Sequence, residues 1–495
     1  MKSQSILICF LVVLCSCTVS KNAVHKYTPS KKYAPEALKA DYHLFRNILE
    51  ESHPSLYWYT PKDSVDYYFN WGEKQLNDSM PEYQFRATLS YVLAKIKCGH
   101  TSVRPSVAAT RYSERTRSYG MPLSIKAWPD TVVVVSNMNK NDSLIHHGVV
   151  LRSIDGRPIE QIIDTMSKYL SADGFNTTHK YQTLSNPGVF RGMYGMIYGI
   201  KPSIPVEYID EHNELKKANL KWYDPLADTP LIRVRGIVFT KKDRKDMIKR
   251  ANRNFSVDTS LNTAFMELNT FTKHFQLRRF FRRSFKEMRK KHISNLVIDL
   301  RGNGGGSVLL SNLLTRYIAD KPFKIADSLY AIRRYSNYSH YEQNYMINSF
   351  FVKLMTHRKK DGYYHFTYFE NRYFKPKRKN HFGGTTYILT GGNTFSAATL
   401  FAKSLQDQSN VITVGEETGG GAYGNSAWLI PDITLPNTQV RFRLPLFRLV
   451  IDSKEVKGRG VIPKVEVRPT LESIRKNADF KMDKVIEMIK SHSNT

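Results

Sequence analysis

Three times in the second half of the chain, an apolar run of strand character ends in a cluster of glycines. Asn295–Leu300 runs into Gly302-Asn303-Gly304-Gly305-Gly306, and Val308-Leu309-Leu310 with Leu313-Leu314 then opens a helical pattern. Thr385–Thr390 runs into Gly391-Gly392-Asn393, after which Ala397, Ala398, Leu400, Phe401, Ala402 and Leu405 recur at helical spacing. Val411–Val414 ends at Gly415 and is followed by Gly419-Gly420-Gly421. This alternation of strand and helix signals from residue 230 onward argues for an α/β domain.

Upstream the character changes twice. Residues 36–98 read as helical: Leu44, Phe45, Ile48 and Leu49 share one face, and Phe85, Leu89, Val92, Leu93 and Ile96 another. Ser52-His53-Pro54 interrupts them, because the residue before a proline is pushed out of the helical region. Residues 119–225 are β-rich. Thr131–Val135 is a buried-strand run, Gly148–Ile154 a strand closed by Asp155-Gly156, and Ile204–Tyr208 a strand meeting the polar turn Asp210–Asn213. There are no internal repeats, and 495 residues are too many for one typical core.

The first residues read as an export signal. Lys2 supplies a positive start, Ile6–Leu14 is an unbroken apolar run too short to span a bilayer, and Leu14-Cys15-Ser16-Cys17 resembles the lipobox of bacterial lipoproteins. This predicts an exported chain, lipid-anchored at Cys17 in the cell envelope and meeting the membrane only through that anchor. The four cysteines are Cys9, Cys15, Cys17 and Cys98; removal of the signal and acylation of Cys17 leave Cys98 without a partner, so no intrachain disulfide can form. With 74 basic and 44 acidic residues the net charge is +30. The basic residues are scattered and an exported protein rarely meets nucleic acid, so the charge reads as a solvated surface facing an anionic envelope rather than a nucleic-acid site.

Four features could carry chemistry. The Gly302–Gly306 cluster could cradle a phosphate, but Ser307-Val308 stands where a nucleotide loop carries Lys-Ser/Thr, so an oxyanion hole fits better. Cys98-Gly99-His100-Thr101 places an imidazole in a glycine-flanked turn, with an inert thiol beside it. Ser396, between a strand and a helix, is either an exposed nucleophile or a helix cap. The third glycine cluster completes the set. The 15 histidines show no metalloprotease spacing, so no metal and no cofactor are expected.

Taken in order, Gly99-His100-Thr101, residues 119–170, Ile298–Gly306, Thr394–Phe401, Gly415-Glu416-Glu417-Thr418 and Gly458-Arg459-Gly460-Val461-Ile462-Pro463 resemble the blocks of the tail-specific (C-terminal processing) serine peptidases and their tricorn-like relatives. Glu50–Tyr57 is similar to the lead-in of exported bacterial members. The resemblance implies a ClpP/crotonase-like α/β domain with an inserted PDZ-like β domain and an N-terminal helical segment. It implies a serine endopeptidase acting on peptides or unfolded proteins without a cofactor. Ser396 falls on the nucleophile, and the N–H groups of Ala397 and Gly306 fall on the oxyanion hole. The Ser–Lys branch of the family carries its base at the position of Gly421, which rules that dyad out here. The tricorn-like branch draws a histidine from the early block, matched by His100, and a glutamate from the domain's end, for which Glu455 is the candidate with Asp452 and Glu416 as rivals. Two positions depart from the family pattern: Lys464 follows Pro463, and Thr399 replaces an acidic residue. The PDZ-like segment is expected either to bind a substrate C-terminus by strand addition or to serve as a spacer. The expected divisions are 1–17 signal, 18–35 leader, 36–105 helical region, 115–225 PDZ-like, 230–475 peptidase and 476–495 C-terminal helix.

Overall fold

A computed structural model of the chain describes residues 27–116, 119–140, 142–225 and 240–493. The expected signal, Cys17 and half of the leader lie outside the described residues, as does the expected boundary at 230.

The central sheet has strand order Arg253–Asp258, Thr263–Leu268, Asn295–Asp299, Thr385–Thr390, Val411–Gly415, Val465–Glu466. Only the first pair is antiparallel. Its middle strands are apolar on both faces, as strands covered on both sides must be. Leu296 and Ile298 point into the main core with Phe281, Phe285, Leu314 and Phe401 from covering helices. Val297, Tyr387 and Leu389 point the other way, against Val485 and Ile489 of the C-terminal helix Phe480–Ser493. Burying one such aliphatic or aromatic side chain is worth about 1.5–3 kcal/mol.

The N-terminal helices Pro35–Ser52, Lys62–Lys74 and Glu82–Ile96 join the main core through Phe45, Phe69, Phe85 and Leu89. The first ends at Ser52, just before His53-Pro54, as the proline requires. Residues 120–223 build a separate sheet, with strands Leu123–Trp128, Thr131–Asn137, Val150–Ile154, Ser203–Ile209 and Leu215–Lys221, around their own apolar cluster. Its Asp155-Gly156 turn has positive φ at both residues, 55° and 72°, the geometry of a tight hairpin turn. A third, antiparallel sheet brings Ser328–Ala331, Phe447–Val450 and Gly424–Ala427 together beside the helix Ala397–Leu405. Among the described residues no helix is long and apolar enough to cross a membrane.

Candidate active site

Between the strand Thr385–Thr390 and the helix Ala397–Leu405, Thr394 ties the turn together. Its hydroxyl donates to Leu300 O at 2.8 Å and accepts from Gly391 N at 3.1 Å. Its carbonyl accepts from Gly419 N at 2.9 Å and from the Thr399 hydroxyl at 2.9 Å. Phe395 N donates to Asn303 O at 3.0 Å. These bonds hold Ser396 at φ 55°, ψ −122°, a conformation that non-glycine residues rarely adopt and that costs on the order of 1–3 kcal/mol. The Ser396 side chain makes no capping hydrogen bond. The helix-cap reading is therefore excluded, and the hydroxyl is presented from a strained strand-to-helix elbow.

The first glycine cluster packs directly on this elbow. A Cβ at Gly305 would meet Ser396 Cβ at 2.7 Å and Ala397 N at 3.0 Å, so there is no space for a phosphate between them. Gly305 N donates to Asn303 Oδ1 at 2.9 Å, and Gly305 O accepts from Phe271 N at 2.8 Å. Ser307 N donates to Phe271 O at 3.0 Å. Gly305 N–H is thus engaged, whereas Gly306 lines the same cavity as Ser396 and Ala397. Ala397, as the first residue of its helix, has an N–H without an intrahelical partner. Gly306 and Ala397, the residues expected to supply an oxyanion hole, thus line one cavity with Ser396.

That cavity, of about 710 Å³, is walled by Phe351, Phe366, Phe369, Trp428, Leu400 and Leu449, and among the described residues Lys273 is the one charged residue on its lining. A large apolar side chain fits its chemistry.

The base is arranged differently from the simplest triad. His100 is buried at 6% exposure, and neither ring nitrogen has a hydrogen-bond partner among the described residues. Its ring lies 4.7 Å from the Phe395 ring, whose neighbour His179 stacks at 4.9 Å. Burial first, then the Arg443 and His179 charges, depress its pKa to about 3, so in this arrangement the imidazole is neutral and a weak proton acceptor. His100 thus packs on the residue that precedes Ser396, and no hydrogen bond joins the two side chains. Glu455 does not orient His100 in this arrangement: its carboxylate binds Lys403 Nζ at 2.7 Å, alongside Asp452 at 3.1 Å. The rival Glu416 binds Lys481 at 2.6 Å. Cys98 is buried and its thiol is pushed up to about 11, chiefly by burial, which makes it inert as expected.

At Gly421 the missing lysine has a steric reason. A Cβ there would stand 2.5 Å from Gly424 O, so the backbone leaves no room for any side chain.

One functional segment escaped the sequence reading. Asp173 is 1% exposed and accepts from Gly99 N at 2.8 Å and Gly421 N at 3.2 Å. Gly174 N donates to Lys97 O, Phe175 N to Gly458 O, and Asn176 Nδ2 to Thr418 O. These residues stitch the His100 turn to the loop behind Ser396. A signal existed in the run Asp173-Gly174-Phe175-Asn176, which has turn composition between helices. Nothing in a single sequence says which backbone such a carboxylate will hold. Burial raises the Asp173 pKa to about 6 against the two N–H donors.

Comparison with known proteins agrees with the geometry. Residues 262–467 match the family described as Peptidase family S41. A structure of mature CPAF complexed with lactacystin is similar at TM-score 0.64 and 15% identity, covering 92% of this chain and 98% of that one. The photosystem II D1 C-terminal processing protease is similar at TM-score 0.40 and 13% identity, covering 89% and 97%. No curated protein sequence matches the chain. The matched segment 262–467 holds the elbow and its glycine cluster, and it is this part of the chain that is similar to Peptidase family S41.

Proposed function

We propose that the protein is an exported serine endopeptidase that cleaves peptides or unfolded proteins through an acyl-enzyme on Ser396. The observation that carries this is the Ser396 elbow, whose uncapped hydroxyl belongs to the same apolar cavity as Ala397 and Gly306. Ser396 Oγ attacks the scissile carbonyl while His100 takes its proton. The two N–H groups hold the oxyanion, and the protonated imidazole returns the proton to the leaving amine. Water then attacks the ester with His100 again as base. In this reading His100 engages Ser396 when substrate binds, and Glu455, paired with Lys403 in the structure, is the carboxylate proposed to orient its ring. The apolar cavity takes the side chain on the acyl side of the cleaved bond. The export and lipid-anchor part of the reading rests on Lys2, the Ile6–Leu14 run and Cys17.

Kinetics on peptides that vary only at the acyl-side residue test this. Leucine or phenylalanine there is expected to exceed aspartate by at least 100-fold in kcat/KM. His100→Ala is expected to lower kcat by about 10³–10⁴-fold, as loss of a triad member does. Equal rates across side chains would remove the cavity from the mechanism, and a His100→Ala enzyme within a few-fold of wild type would remove the base.

A further inference from the structure

The short turn Lys273–Phe275 stands between two recesses. On one side Lys273 lines the cavity that holds Ser396. On the other, residues 274–276 wall a groove of about 450 Å³ whose opposite wall is the helix Lys241–Asn252. That helix presents Lys241, Arg244, Lys245, Ile248 and Lys249 to the groove, and their spacing of i, i+3, i+4, i+7 and i+8 puts them on one face. Four cations thus border an apolar strip made by Ile248 and Phe275. Among the described residues no carboxylate lines the groove, and none of the four cations forms an ion pair. Asp243 and Asp246 lie off this face by the same helical spacing, and Asp243 is committed to the helix start, accepting from Thr240 N at 3.0 Å and from the Thr240 hydroxyl at 2.7 Å. Packing does not account for the face either, because the helix has no buried residue and Ile248 is 57% exposed. The groove is tied to the catalytic loops by the chain itself. Phe271 N donates to Gly305 O at 2.8 Å, and Phe271 O accepts from Ser307 N at 3.0 Å. Phe275 follows four residues later, at most roughly 14 Å away along the backbone, a reach of about four residues of an extended peptide.

We infer that this groove is a substrate subsite for an acidic segment, held by Lys241, Arg244, Lys245 and Lys249 about four residues from the bond that Ser396 cleaves. The inference rests on Ser396 acting as proposed above and adds a substrate class to it: polypeptides with an apolar residue at the cleaved bond and a run of aspartate or glutamate beside it. Like charges three and four residues apart on a helix repel one another, and side-chain carboxylates laid along the face relieve that repulsion. The strip of Ile248 and Phe275 takes the aliphatic stems of glutamate side chains. Each exposed pair is weak by itself, so the discrimination comes from several acting together and falls with salt. A lipid surface is anionic too, but the position of the groove next to the Ser396 cavity favours a substrate.

Kinetics of the full chain test this with peptides that share one leucine-containing core and differ only in a four-residue flank of glutamate or of glutamine, placed on either side of the core. In one placement the glutamate flank is expected to raise kcat/KM at least tenfold over glutamine, through KM, and the advantage is expected to shrink at high salt. In Arg244→Gln/Lys245→Gln/Lys249→Gln the advantage should fall below about threefold, while cleavage of the glutamine-flanked peptide stays within about twofold of wild type. That variant should fold normally, since none of the three residues is buried and glutamine suits a helix about as well as lysine or arginine. Fluorescence anisotropy of the same peptides on the Ser396→Ala chain separates the subsite from the chemistry. A glutamate preference in binding that the triple variant abolishes supports the groove even where no peptide is cleaved. Cleavage with no glutamate preference in either placement, or a preference unchanged in the triple variant, overturns the inference and leaves the peptidase reading intact. Binding to phosphatidylglycerol vesicles that the triple variant abolishes, with no glutamate preference among the peptides, assigns the face to a lipid surface and overturns it as well.

Discussion

Ser396 shows what one residue's surroundings decide. Serine between a strand and a helix is usually a cap, and the local sequence allowed that role equally. The bonds through Thr394 set φ at 55° and leave the hydroxyl free of capping duty. Asp173 is the residue the sequence hid, because its partners Gly99 and Gly421 are remote in the chain. Its raised pKa carries a stability consequence whose sign follows from linkage. Folded Asp173 binds its proton more tightly than the unfolded chain does, at about 6 against 3.8. Its contribution is therefore fully present below about pH 4 and is lost as pH rises through about 6, a loss of roughly 3 kcal/mol. At neutral pH the ionised carboxylate is retained at a cost to stability, which marks a positioning role for the two loops. Asp173→Asn is expected to lower kcat 10- to 100-fold at pH 7 with little change in KM, while its unfolding midpoint at that pH is unchanged or higher. A variant with wild-type kcat would show that the carboxylate positions nothing.

At the scale of elements, the strand–glycine–helix units were legible because periodicity and glycine placement are local properties. Strands Asn295–Asp299, Thr385–Thr390 and Val411–Gly415, and helices beginning at Val308 and Ala397, stand where the apolar patterns put them. The relative placement of elements was not legible. That the Gly305 N–H is engaged depends on Asn303, and the ring that packs on His100 is that of Phe395. Gly306 has φ 134°, and an added Cβ would stand 2.7 Å from Phe271 C. Gly306→Ala is therefore expected to shift the loop and lower kcat by about 10²–10³-fold, the effect of losing one oxyanion donor. Its KM should change far less. A Gly306→Ala enzyme with unaltered kcat would move the oxyanion hole elsewhere. Likewise, restoring the family's lysine by Gly421→Lys is expected to destabilise the fold, since the clash is with backbone, and to confer no His100-independent hydrolysis.

For the whole molecule, stability should fall on acidification. His53 and His100 are both buried, and burial depresses both pKa values from 6.5 to about 3. A depressed folded pKa gives stability that is present above about 6.5 and lost as pH falls toward 3, a slope of up to two protons. Asp173 opposes with one. These three groups alone give a slope near pH 5 of about 1.4 kcal/mol per pH unit in the direction of acid lability; His179, whose pKa burial also lowers, and self-repulsion at a net charge of +30 act in the same direction. The thermal midpoint should drop between pH 7 and pH 5, and His53→Gln should flatten the curve; a level or rising midpoint would contradict this. The division into a helical region, a β-rich insert and an α/β body could be read from composition along the chain, whereas the cavities between these parts could not, because each is lined by residues far apart in sequence.

The central claim is that Ser396 is the nucleophile. Labelling with a fluorophosphonate probe, followed by mass-spectrometric mapping of the modified peptide, tests it most directly. The wild-type chain is expected to carry the label on Ser396, with Ser396→Ala unlabelled under the same conditions. Equal labelling of the two proteins, or a label mapped to another residue, would contradict the account.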